Sequence, residues 1–146
     1  MRLDLKQFNG ETLMNRYGLA ALLLMMVCVP GLATNKKRVE ISDLAGEWSG
    51  TSLCQVKLSP CHDEQVVFRL SNAKKDKIQL QADKIIDGKA VTMGVDDWSY
   101  DSTSQALTLE IARGTWKLIV DGDEMNGTLI TRDNLVFRKV HVHRSK

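Results

Sequence analysis

The chain has 146 residues, and its 20 Lys and Arg stand against 18 Asp and Glu for a net charge of +2. That length suits one domain of ordinary size, and so even a charge balance excludes a general nucleic-acid binder, which needs a concentrated basic surface to displace counterions. At 43% hydrophobic and 26% charged, with two prolines, the composition also excludes intrinsic disorder.

The first element in chain order is a leader. Leu19 to Val29 is an unbroken apolar run of 11 residues, preceded by Arg16 and followed by Pro30-Gly31-Leu32-Ala33. A basic start, about 7–15 apolar residues and small residues before a cleavage point describe a secretory signal peptide. Gly31 and Ala33 occupy the small-residue positions, which predicts cleavage after Ala33 and a leader over residues 1–33. A membrane anchor needs about 20 apolar residues, so no stable anchor is expected after cleavage. The stretch before the run carries Asp4 and Glu11 and is longer than export needs. A start at Met14 gives a more compact signal, so Met1 and Met14 both stand as starts. Cys28 follows Val27 rather than a small residue, which argues against lipid attachment.

Loss of the leader reduces three cysteines to two and leaves 17 basic against 16 acidic residues. In an oxidising compartment, secreted or periplasmic, Cys54 and Cys61 form the default disulfide. Closing that eight-residue loop stabilises the fold by roughly 2.5 kcal/mol on chain-entropy grounds.

Residues 34–43 form a polar entry segment, and the domain spans 44–146. Ile41-Ser42-Asp43-Leu44-Ala45-Gly46 predicts a turn of helix before the first strand. Thereafter short runs alternate or carry β-branched residues: Glu47–Val56, Gln65–Leu70, Lys77–Ala82, Ala90–Val95, Trp98–Tyr100, Gln105–Ile111, Thr115–Val120, Met125–Thr131 and Leu135–Val142. Asp87-Gly88, Arg113-Gly114, Asp121-Gly122 and Asp133-Asn134 supply turn chemistry between them. Strands joined this tightly cannot be parallel neighbours. The fold class is therefore all-β, a small antiparallel up-and-down barrel of about eight strands, because closure removes exposed edges. Val66, Phe68 and Leu70 share an inward face, as do Leu107, Leu109 and Ile111, then Trp116, Leu118 and Val120, then Met125, Gly127 and Leu129, and finally Leu135 and Phe137. Arg69, Thr108, Glu110, Thr115, Lys117 and Thr128 suit the wet outer face.

Gly46-Glu47-Trp48 at the head of the first strand resembles the Gly-x-Trp pattern of the lipocalin/calycin superfamily. There the tryptophan closes one barrel end and stacks on an arginine near the last strand. The resemblance implies Trp48 and Arg138 as that pair, and guanidinium over indole contributes about 0.5–2 kcal/mol. It also implies a small apolar ligand, for which Phe68, Trp98, Trp116 and Phe137 would line the pocket. Runs of about six residues and bulky inward side chains point to a filled barrel or one small ligand. A small secreted barrel with one disulfide is also similar to periplasmic inhibitors of proteases and lysozyme, which work through an exposed segment. The alternative is thus an interaction module with an envelope protein as partner.

Other chemistry is thinly represented. His141 and His143 share a strand face at metal-sharing spacing, but a polar tail explains them as well. Asp121-Gly122-Asp123-Glu124 resembles half a calcium loop, yet Met125 stands where oxygen is needed. Asp96 and Asp97 form the most enzyme-like cluster, although consecutive strand residues face opposite ways; they read as solvated turn residues. Asn126-Gly127-Thr128 is a formal sequon within turn chemistry. No catalytic set, metal or cofactor is expected, and the protein is read as a monomeric, non-enzymatic binder.

Overall fold

A computed structural model describes residues 38–146, and the predicted leader, its cleavage point, both candidate starts and Cys28 lie outside them. Eight antiparallel strands close into an up-and-down barrel in sequence order. They are β1 Gly46–Cys54, β2 Glu64–Lys74, β3 Lys77–Ile86, β4 Lys89–Asp101, β5 Ala106–Ile111, β6 Gly114–Asp121, β7 Glu124–Thr131 and β8 Val136–Arg144, with a 3₁₀ helix at Ile41–Leu44 before β1. The all-β barrel fold and the helical turn ahead of it are therefore present, and Cys54 and Cys61 are bonded with their Cα atoms 5.9 Å apart.

Two expectations about the strands need correction. Ala90–Val95 and Trp98–Tyr100 are one 13-residue strand, not two runs around a turn, because Asp96 and Asp97 pair with Leu80 and Gln79 of β3. Strands β2 to β4 run 10 to 13 residues, longer than their apolar runs. Residues outside the alternating apolar runs, Ser71 to Lys74 of β2 and Asp83 to Ile86 of β3 among them, continue the strands past the point where that pattern ends.

Period-two alternation decides the faces. Trp48, Gly50 and Ser52 pair with Phe68, Val66 and Glu64 on β2, and with Arg144, Val142 and Val140 on β8, so all share the inner face. Close approach of β1 and β8 requires glycine at position 50. A Cβ there would lie 2.1 Å from the His141 carbonyl oxygen and 2.8 Å from the Val142 Cα.

The two ends of the barrel differ. One is packed solid by Leu44, Trp48, Leu70, Ile78, Tyr100, Leu107, Val120, Met125 and Val142, all buried. The 3₁₀ helix seals it. The Trp48 indole N–H donates to the Leu44 carbonyl at 3.0 Å, and the Tyr100 hydroxyl donates to the Val39 carbonyl at 2.7 Å. Toward the other end the inner positions become small or polar, with Ser52, Ala82 and Gly94 among them. There β4 and β5 also part: only Ser99, Tyr100 and Asp101 pair with β5, which among the described residues leaves the Lys89–Trp98 stretch of β4 without a strand partner on that edge.

Candidate functional site

Small side chains at the open end leave a cavity of about 230 Å3 inside the barrel. Its floor and walls are Val66 and Phe68 of β2, Leu80 and Ala82 of β3, Trp98 of β4, Leu109 and Ile111 of β5, and Trp116 of β6. Met93, Gly94 and Asp96 of β4 flank it along the seam where β4 and β5 separate. The volume lies just below the usual 300–1,000 Å3 of drug-sized ligand sites. At about 30 Å3 per water-sized group it has room for about eight such groups.

A polar cluster stands at the rim. Arg138 Nη1 lies 3.2 Å from Glu64 Oε2, with both side chains only 13–14% exposed. The same nitrogen donates to the Ser52 carbonyl at 3.2 Å and to Ser52 Oγ at 3.1 Å. Withdrawing two charges from water is costly, and mutual attraction plus extra hydrogen bonds must offset it. Ser52 supplies those bonds, and its hydroxyl accepts from a cation. Asp96 is the third charged group on the cavity lining, and it is exposed at the mouth.

Of the predicted ligand-lining residues, the fold brings Phe68, Trp98 and Trp116 together on this cavity. Phe137 is not among its lining residues. Leu129 pairs with Arg138 and Ile130 with Val136, so Phe137 is the extra residue of a bulge, and its ring lies under the Arg113 guanidinium at 4.6 Å. The bulge breaks the alternation on which its inward assignment rested. Leu135 precedes β8 and is exposed.

The arginine paired with Trp48 is also corrected. Arg144, not Arg138, lies over the Trp48 ring at 4.3 Å. Both arginines are on the inner face of β8, but they are six residues apart, about 20 Å along a strand. Antiparallel pairing sets the end of β8 beside the start of β1, so Trp48 meets Arg144 and Cys54 meets Arg138. The Arg144 fork further donates to the Ala45 carbonyl at 3.1 Å and the Asp43 carbonyl at 2.6 Å, and its Nε donates to Asp123 Oδ1 at 3.1 Å. Gly46, at φ +129, lets the chain turn from the 3₁₀ helix into β1 beside this guanidinium.

Sequence reasoning missed the Glu64–Arg138 pair and the place of Asp96. Two signals were available. Glu64 stands two residues before inward-facing Val66, and Asp96 two before Trp98, so strand phase carries both inward.

Elsewhere, His141 Nδ1 lies 2.8 Å from Asn126 Oδ1. Among the described residues no group of three His, Cys, Asp or Glu side chains is arranged to hold a metal ion, and no helix is long and apolar enough to cross a membrane. Gly122 and Asp123 form the turn between β6 and β7. The Cys54–Cys61 loop carries a fully exposed leucine, Leu58, at positive φ. The chain matches no protein-family model, and no curated protein matches it either.

Proposed function

We propose that this chain is an exported, calycin-like binding protein, without enzymatic activity, that holds one small, mainly apolar ligand in the open half of its barrel. The carrying observation is the contrast within a single barrel: one end is packed and latched, while the other keeps a 230 Å3 cavity walled by Phe68, Trp98 and Trp116. Ligand sites characteristically combine apolar walls with a few convergent polar groups, and Ser52, Glu64 and Arg138 are such groups here. The hydroxyl of Ser52 is held by a guanidinium rather than by a general base, which supports binding over nucleophilic chemistry. Export to a secreted or periplasmic location is supported by the leader pattern at 19–33 and by the disulfide.

Tryptophan emission tests this reading directly. Trp98 and Trp116 line the cavity, while Trp48 is at the sealed end and serves as an internal control. Titration with a panel of small aromatic and branched aliphatic compounds should perturb the first two. Ala82→Trp, which fills the cavity from β3, should abolish the response. A response that survives Ala82→Trp, or none with any compound, refutes the proposal. The mass of the exported protein should correspond to Thr34–Lys146 less two hydrogens.

One observation favours the second reading, an interaction module that inhibits an envelope protease or lysozyme. Leu58 projects from a disulfide-clamped loop with its side chain fully in solvent, and rigid exposed apolar anchors are what partner pockets accept. Under this reading Leu58→Asp abolishes capture of an envelope enzyme and leaves ligand-induced emission changes intact.

A further inference from the structure

We infer that the ligand is a small organic cation, an amine with an aromatic or short branched body, held with its ammonium between Asp96 and Glu64 and its body against Trp98, Trp116 and Phe68. This rests on the ligand-cavity reading above and adds the charge of the occupant. Among the described residues three charged side chains reach the cavity lining, namely Glu64, Asp96 and Arg138. The single positive group is already engaged by Glu64 and by two oxygens of Ser52. Among the described residues the lining therefore carries one net negative charge, and Nη1 of its cation is turned toward protein acceptors.

An anionic ligand would add a negative charge beside Glu64 and Asp96 and would have to share Arg138 with Glu64, whose place at Nη1 it could take only by leaving a carboxylate unpaired in a largely desolvated position. A cationic ligand needs no such rearrangement. It adds a positive charge where the lining has a surplus carboxylate, and it leaves the Arg138 bonds in place. The walls favour the same sign. Indole faces attract ammonium groups, most strongly when water is excluded, and two of the three aromatic rings here are indoles. Size limits the body, since room for about eight water-sized groups suits one ring with a short arm.

Isothermal titration of the purified protein at pH 7 with 2-phenylethylamine, 2-phenylethanol and phenylacetate separates the possibilities, because the three share a ring and differ in charge. The expected order is amine tightest, at least about tenfold over the alcohol, with phenylacetate weakest. Asp96→Asn should bring the amine down to the affinity of the alcohol. Asp97→Asn, on the outer face of the same strand, should leave the order unchanged. Equal binding of amine and alcohol, tightest binding of phenylacetate, or an amine preference untouched by Asp96→Asn overturns the cationic assignment while the cavity reading stands. Absence of heat and of tryptophan response with all three overturns both.

Discussion

Replacement of Arg144 by alanine probes how the barrel is sealed. The side chain contributes through four contacts of unequal worth. Its guanidinium over Trp48 at 4.3 Å is a cation–π contact of about 1 kcal/mol. The two bonds to the Asp43 and Ala45 carbonyls have a charged donor, but the side chain is 28% exposed, so about 1 kcal/mol each is apt. The partner carboxylate of Asp123 is 83% exposed, and that ion pair contributes close to nothing. Arg144→Ala should therefore destabilise the fold by about 3 kcal/mol, a large share of the ~5–15 kcal/mol typical of a domain. At this chain length the melting temperature should fall by about 12 °C. Urea denaturation followed by circular dichroism measures the free energy. Emission in a Trp98→Phe, Trp116→Phe background reports Trp48 alone and should shift to the red. Arg144→Lys keeps the charge but not the fork, so it should fall between wild type and alanine. A loss below about 0.5 kcal/mol, or a Trp48 shift produced by Arg138→Ala and not by Arg144→Ala, refutes this account of the seal.

Two further outcomes follow from the packing and the charges. Gly50→Ala puts a Cβ against backbone atoms of β8, which no side-chain rotation relieves, so it should cost about 3 kcal/mol or more in urea denaturation; a cost under 1 kcal/mol would show that β1 and β8 are free to part. The Tyr100 hydroxyl is raised above its ordinary value of 10.0, first by burial and then by the Glu40 and Asp101 charges. The unfolded chain then loses that proton before the folded one does, so this contribution to stability is complete below pH ~10 and declines as pH rises from there through the folded value. Tyr100→Phe should flatten that alkaline decline in thermal melts, and an unchanged slope would contradict the assignment.

The alternation in Val66-Val67-Phe68-Arg69-Leu70 and Trp116-Lys117-Leu118-Ile119-Val120 was enough to phase the inner faces. Each residue's side is set by its immediate neighbours. Phe68 and Trp116 accordingly face the interior, where the fold sets them on the cavity beside Trp98. Phe137 did not, because a bulge is a two-strand event that depends on which β7 residue lies opposite. Asp96 and Asp97 looked like a turn because paired carboxylates are poor strand formers, yet the ladder with β3 carries them. The arginine over Trp48 was within reach of reasoning. In a closed antiparallel barrel the last strand must end where the first begins, which selects Arg144 over Arg138.

The near-even charge and the 43% hydrophobic content that bound the problem describe an average over unlike parts. By itself the sequence determined an all-β antiparallel barrel, the inward faces of its regularly alternating strands and the only cysteine pair open to the domain, because alternation, turn chemistry and cysteine count are local or countable properties. Tertiary structure decided which end is packed and which is hollow, the partnership of Glu64 with Arg138 across 74 positions, and the surplus carboxylate at the mouth. Those depend on register and closure, which fix how far along the barrel axis each inward residue comes to rest, and no single strand carries that information.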